Sequence, residues 1–503
     1  MITPKSTNDL YNEYKAQMRK IADVKNASAI LQWDEETYLP AKGAAFRGQQ
    51  MATLSEISHQ LFVEERLGNI LEELKARNDL SEKEKRNVEL NTEDYLKQKK
   101  FSSGFVKKMS EAVSKSFHSW IESRKQNDFS IFENDLNDLL QLKRQEADLL
   151  GFENHPYNAL LNEFEKDCTV NLLDGTFAEI LQPLKNILAQ IRSKPQGDDS
   201  FLRQFFPKQQ QWDLGMKIIK QLGFDFEAGR QDISEHPFTT SFNNNDVRIT
   251  TRINENDFSS MMWSCIHETG HALYEQGLPE SEYGLPLGEY TSLSIHESQS
   301  RIWENCVGRS MAFWENNYEQ VQQTFSSQLG KVSVSEFYHA INKVQPSLIR
   351  TEADELTYHF HVIIRYEIEK LLIEGTLRIH EIPIYWNEQY EKYLGVKVPD
   401  DKHGCLQDVH WSHGSFGYFP TYSLGSFYAA QLFDYAKRQT ADLDQEIKNG
   451  NTKPLLEYLR KHIYQYGRMY TSEKLLEKIN GEGLNINYFL EYLLQKYGNI
   501  YTF

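Results

Sequence analysis

Helix breakers are scarce in this chain. It has 27 glycines and 14 prolines in 503 residues, about 8% where average usage is about 12%. Long Leu-, Glu-, Lys- and Gln-rich stretches fill the space they leave, which points to an almost wholly helical protein. Cysteine is scarcer still. Cys168, Cys265, Cys306 and Cys405 are widely scattered and show neither disulfide-framework nor zinc-finger spacing, which fits a reduced, cytoplasmic compartment. Positive charge is in deficit, with 55 Lys and Arg against 72 Asp and Glu for a net −17. That balance argues against nucleic acid and anionic membranes as partners; solubility is its simpler consequence. No apolar run reaches membrane-spanning length, and the polar stretch Met1 to Lys20 lacks the apolar h-region of a signal peptide. Internal repeats and low-complexity linkers are also missing.

What is present supports a large core: 40% hydrophobic residues, 13% aromatic. Residues 3–150 read as successive amphipathic helices. Glu64 to Lys100 is dense in charge and reads as a solvated helical hairpin. Residues 192–212, with Pro195, Gly197 and Pro207, read as a loop. Phe238–Phe242 and Val247–Thr251 are rich in β-formers and flank Asn243-Asn244-Asn245-Asp246, a hairpin signal. Helices are expected to resume up to Gly375 and again from Ser423. Length alone allows several domains, but the expectation is a single unit over 1–503. It is mostly α, with one small β-sheet near a deep groove and N-terminal helices (about 1–150) as its wall or lid.

The most informative segment is Cys265-Ile266-His267-Glu268-Thr269-Gly270-His271-Ala272-Leu273. Residues four apart on a helix share a face, so His267 and His271 can place two imidazoles on one metal ion. Glu268, one step round, can take a proton from metal-bound water, the arrangement of a zinc-dependent peptide hydrolase. The bland alternative is an exposed helix with a solvated glutamate. The apolar flanks Met261 to Ile266 and Ala272 to Tyr274 weigh against it, since an exposed helix needs a broad polar face. A third histidine six residues on is ruled out, because Tyr274 and Gly277 occupy the positions that pattern needs for Gly and His. Gly277-Leu278-Pro279 ends the helix, and Ile295, Ile302 and Trp303 recur at helical spacing beyond a turn-rich stretch. Glu297 is therefore the candidate third ligand, delivered by an antiparallel neighbour and leaving a fourth position open. His296, next door, is its competitor.

Several further segments carry a resemblance. They are Asp246-Val247-Arg248-Ile249-Thr250, His296-Glu297-Ser298-Gln299, Ile349-Arg350-Thr351-Glu352-Ala353-Asp354 and Gly404-Cys405-Leu406-Gln407-Asp408-Val409-His410-Trp411. Gln32 to Thr37 and His236 to Phe242 join them. Together with the metal motif, in this order, the set resembles the thermostable, Taq-type metallocarboxypeptidases of bacteria and archaea, nearly end to end. The resemblance implies a helical groove fold akin to neurolysin and angiotensin-converting enzyme, and a homodimer. It implies a metal-dependent carboxypeptidase of broad specificity that uses Zn2+, with Co2+ able to substitute. Arg350 and Arg248 become candidates for the terminal carboxylate of a peptide, although an ion pair of Arg350 with Asp354 remains open. His410 and Tyr422, with Tyr418 as the competing tyrosine, become candidates for stabilising an oxyanion; aromatic packing is their alternative. Glu352 and Asp354 are candidates for orienting the imidazoles, and His359 and His361 read as ordinary residues. An endo-acting oligopeptidase on the same scaffold is the rival reading, because it needs no buried cation for a chain end.

Overall fold

The computed structural model describes residues 5–503. Two apolar clusters organise it. The smaller joins Leu10, Tyr14 and Met18 of α1 (Thr7–Thr37) to Leu67, Leu71 and Leu74 of α3 (Glu65–Lys75) and to Val88 and Tyr95 of α4 (Glu82–Gln98). α2 (Ala44–Phe62) folds back on α1 and buries only Ser58 and Phe62. The charged stretch is the expected helical hairpin. Its inner stripe Leu67, Ile70, Leu71, Leu74 is buried at helical spacing, and α4 opens with a Ser81–Glu84 capping box. The larger cluster runs from Phe129 to Tyr501 and encloses the metal motif.

Polar contacts join the two. Asn87 of α4 is fully buried. It donates to Glu282 at 2.9 Å and Tyr11 at 3.2 Å, and accepts from the Leu287 amide at 3.0 Å. Arg468 reaches Asp94 of α4 and Glu289.

Two prolines behave differently from the sequence reading. A helix occupies Ile382–Leu394, and the later one begins at Phe419 rather than Ser423. Pro383 and Pro420 sit in the first turns of these helices, where a missing N–H costs nothing. Pro207 likewise directly precedes the helix Lys208–Leu222, so the expected loop is shorter.

The sheet contains β1 (Gly229–Ile233), β2 (Thr239–Asn243) and β3 (Asp246–Thr251) in the order β1-β3-β2. β2 and β3 form the antiparallel hairpin read from sequence. β1, parallel to β3, was not anticipated: Gly-Arg-Gln-Asp-Ile has no period-two apolar pattern. β3 buries Val247 and Ile249, and also Thr250, whose hydroxyl accepts from Ser234 and the Phe238 amide. β2 is an edge strand, and its residues Thr239–Asn243 line the groove. Among the described residues, no helix is long and apolar enough to cross a membrane.

Asn87→Leu keeps the volume but strands the Leu287 amide and Glu282. It should cost about 1–3 kcal/mol. Hydrogen exchange should rise across α1, α3 and α4 while the metal helix stays protected; unchanged exchange there would refute the joint.

Candidate active site

The metal helix, α5 (Phe258–Gln276), starts where the Asp257 side chain accepts from the Ser259 amide at 2.9 Å. Met261, Met262, Cys265, Ile266, Ala272 and Leu273 are all fully buried, which fixes its rotation. The imidazoles of His267 and His271 project one turn apart, with ring centroids separated by 4.9 Å. Past the turns at 280–288 the chain returns as α6 (Leu293–Arg301), capped by Ser292. Contacts run in reverse order along the two helices: Tyr274 meets Thr291, Glu275 meets His296, Gly270 meets Ser300 and His267 meets Glu304. The pair is antiparallel, as expected.

Two glycines allow the approach. A Cβ on Gly270 would lie 2.6 Å from the Ser300 Cα and 2.7 Å from the Gln299 carbonyl. A Cβ on Gly425, in α8 (Phe419–Gln439), would lie 2.5 Å from the Glu297 Cγ. Glu297 is thereby seated between α5 and α8. Its Oε2 is 3.7 Å from His267 Nε2 and 3.5 Å from His271 Nε2, and one ligand atom from each of the three lies within 4.8 Å of the others.

The surroundings test whether this trio fits a metal. His271 Nδ1 donates to the His296 carbonyl at 3.0 Å and His267 Nδ1 to Glu304 Oε2 at 2.9 Å. Both partners are acceptors only, so each imidazole keeps its Nε2 lone pair for the centre. Glu297 Oε1 is held by Arg301 at 2.7 Å, while Oε2, the oxygen nearer the imidazoles, accepts from the Ser300 hydroxyl at 3.2 Å. The carboxylates around the trio favour positive charge at its centre. Burial disfavours the His267 imidazolium, yet Glu297 and Glu304 outweigh it and raise its pKa. His271 is pushed down by burial and by its histidine neighbours. Burial also opposes ionisation of Glu304, but Arg301, His267 and Arg309 hold it well below the usual carboxylate range. The donor set fits a divalent cation.

Glu304 is the site residue that sequence reading missed. It lies seven residues beyond Glu297 on a π-helical turn, Ile302–Gly308, and such turns cluster at functional sites. The orienting role expected of Glu352 and Asp354 is corrected accordingly. Asp354 instead accepts from the amides of Gln345, Leu356 and Thr357, and the two Nδ1 atoms are taken by Glu304 and the His296 carbonyl.

Glu268 lines a groove of about 1670 Å³ together with His267, His271, Glu297 and Tyr422. Burial raises its pKa above the ordinary carboxylate value, and Thr239 of β2 donates to its Oε2 at 2.6 Å. His296 turns away from the trio: its ring stacks on His271 with centroids 4.5 Å apart, and its Nε2 faces Glu275. Tyr418 and Tyr422 both line the groove. His410 stands behind them, its Nε2 3.1 Å from the Tyr422 hydroxyl. Burial, then the Arg350 charge, lowers its pKa to about 3, so the ring is neutral.

Arg350 is buried one layer behind Tyr422, with its guanidinium 4.7 Å from that ring. It does not pair with Asp354. It donates to Asp408 at 2.9 Å and to Tyr358 at 2.8 Å, and Asp408 also accepts from Arg365 at 2.6 Å. Arg248 pairs with Asp246 at 2.8 Å and lies 4.4 Å over the Trp33 ring, which ties α1 to the sheet. His359 and His361 are fully buried, bonded to Ser423 and Tyr390.

A profile of the carboxypeptidase Taq (M32) metallopeptidases matches residues 13–497. The chain belongs to that family. It is 37% identical to carboxypeptidase 1 of Bacillus subtilis over 493 residues, covering 97% of this chain and 98% of that one. A solved chain designated CHT is 56% identical, with a TM-score of 0.96 over 97% of this chain and 99% of that one. The crystal structure of the M32 carboxypeptidase from Deinococcus radiodurans is 36% identical, with a TM-score of 0.97 over 98% and 100%. The resemblance read from the motifs therefore holds. The chain is a metal-dependent carboxypeptidase, not the oligopeptidase considered as its rival.

A methyl group at Gly425 must push Glu297 or the backbone of α6. Gly425→Ala should lower metal affinity by roughly 10–100-fold, the range seen when ligand-supporting groups are lost. Competition with a chromophoric chelator measures this; unchanged affinity would show that α6 gives way freely.

Proposed function

We propose that the enzyme removes C-terminal residues from peptides with broad specificity, using Zn2+ held by His267, His271 and Glu297, with Co2+ able to substitute. The observation that carries this reading is the convergence of those ligands, tautomers set, beside Glu268 on the groove wall. When bound, the metal supplies Lewis acidity toward a water and the scissile carbonyl. Glu268 accepts the proton of the nucleophilic water and returns it to the departing amine; its raised pKa suits a base that must also act as an acid. The Tyr422 hydroxyl, aligned by neutral His410, stabilises the developing oxyanion.

Exopeptidase action needs a cation for the chain end. Arg350 and Arg365 put two guanidinium groups against the single carboxylate of Asp408. The surplus positive charge lies directly behind Tyr422, so Arg350 attracts the terminal carboxylate to that side of the groove. Arg248, committed to Asp246 and Trp33, shapes the groove through β3. The free edge of β2 offers backbone groups to an extended peptide. The N-terminal helices form the opposite wall of one domain. The protein acts in the cytoplasm as a homodimer, an assembly that sedimentation velocity decides.

Removing the metal should abolish hydrolysis, and zinc or cobalt should restore it. Glu268→Gln should retain the metal but lose about 10²–10⁴-fold or more in kcat. Near-normal turnover in that variant, with metal content verified, would remove Glu268 from the base role.

Arg350→Ala should lower kcat/KM by roughly 10–100-fold, the equivalent of a charge-assisted contact of about 1.5–3 kcal/mol. A C-terminally amidated peptide should be cleaved slowly by the parent enzyme and hardly more slowly by the variant. The two changes then form a cycle with a large coupling. Arg248→Ala should couple weakly in the same cycle. Additive losses at Arg350, at normal metal content, would make it a packing residue.

A further inference from the structure

Glu369 lies on α7 (Tyr358–Glu374), is fully buried, and has no part in the chemistry above. Its carboxylate gathers three donors. Trp411 Nε1 donates to Oε1 at 2.8 Å; the Gly417 amide donates to Oε2 at 2.8 Å, and the Tyr157 hydroxyl donates to the same oxygen. Trp411 and Gly417 bracket one loop. His410 immediately precedes it, Tyr418 immediately follows, and Tyr422 is one helical turn further on. One turn earlier on α7, Arg365 holds Asp408 at 2.6 Å and Gln407 at 2.8 Å. A single face of α7 thus grips the whole segment 407–417 that presents His410 and the two tyrosines.

We infer that Glu369 is a positioning residue for the oxyanion side of the active site: it fixes both ends of the 411–417 loop and so sets the His410–Tyr422 pair. This rests on the role proposed for Tyr422. The chemistry of the donors makes the demand specific. Trp411 Nε1 and the Gly417 amide can only donate, and they address different oxygens, so both oxygens must accept. An amide at this position would turn an N–H toward one of them. Burial pushes the Glu369 carboxyl up to about 7, against the pull of Tyr157, Gly417, Trp411 and, from its own helix, Arg365. The opposing donors are what keep an ionisable group tolerable there.

The test uses the zinc-loaded enzyme and an N-acylated dipeptide. Glu369→Gln should lower kcat by about 10–100-fold, the scale of a misplaced active-site group, with metal content and KM within about twofold. Tyr422→Phe should lower kcat alone, and the double variant should lose much less than the product of the two. That coupling separates positioning from general destabilisation, which would multiply with the tyrosine loss. Unchanged kcat in Glu369→Gln, or multiplicative losses, overturns the inference while leaving the role of Tyr422 standing. Unchanged kcat in Tyr422→Phe alone overturns both. If Glu369→Gln does not fold, Trp411→Phe removes one donor only, and the same cycle applies: coupling supports the inference and multiplication overturns it.

Discussion

Three helices meet at Glu297 with no room for a methyl group between them, and the active site depends on that closeness. Glu297 must reach two imidazoles that are fixed on another helix. It does so because α6 lies against the backbone of α5 at Gly270 and α8 lies against the Glu297 stem at Gly425. α5 cannot rotate to compensate, since Met261, Met262, Cys265 and Ile266 are locked into the main core. Dense cores transmit such constraints because they cannot deform locally without opening voids. The three candidate ligands are thus placed by packing first and aligned by hydrogen bonds second.

Charge is ordered around the same point. Moving outward from the imidazoles come the carboxylates Glu297 and Glu304, then the guanidinium groups of Arg301 and Arg309, the latter 3.9 Å over Trp263. Each of these four buried charges meets its opposite, as a low-dielectric interior requires. The centre alone is left short of a cation. On the other flank the balance reverses: Asp408 faces two arginines. Tyr358 joins the flanks, with the Arg301 guanidinium 4.8 Å from its ring and its hydroxyl accepting from Arg350. The two flanks therefore carry opposite imbalances, a shortage of positive charge at the imidazoles and a surplus behind Tyr422.

The legible parts of this design were the local ones. Two histidines four apart, a helix stop at Gly277 and a glutamate on the next periodic stretch are written in short windows, and they single out His267, His271 and Glu297, whose ligand atoms the fold brings within 4.8 Å of one another. Glu304 escaped because a π-helical turn carries it, and nothing in the windowed pattern announces that turn. Gly270 and Gly425 look like ordinary helical glycines until the facing helix is known. β1 has polar residues where a strand signal needs apolar ones. The Arg350–Asp354 pairing assumed a helix through both residues, whereas α7 begins only at Tyr358 and Asp354 turns back to serve its first amides. Glu369 grips a loop more than forty residues away. In every missed case the partner is distant in sequence or the backbone is irregular.

The groove is not equally firm along its length. Next to the metal, β2 is clamped from both sides: Thr239 bonds Glu268 of α5, and Asn26 of α1 bonds the Phe242 carbonyl. Trp33 lies beneath Arg248 and Arg230, which seats α1 on the sheet. Farther out, beyond the Asn87 and Arg468 contacts, the end of α4 is tied to the body by Lys97–Glu163 and Lys166–Glu93, ion pairs with enough solvent exposure to contribute little, on the order of 0–1 kcal/mol each. The inner end is therefore rigid where one peptide bond must be aligned. The outer wall is firm where Asn87 is buried and bonded, and loosens only toward the exposed pairs at the far end of α4.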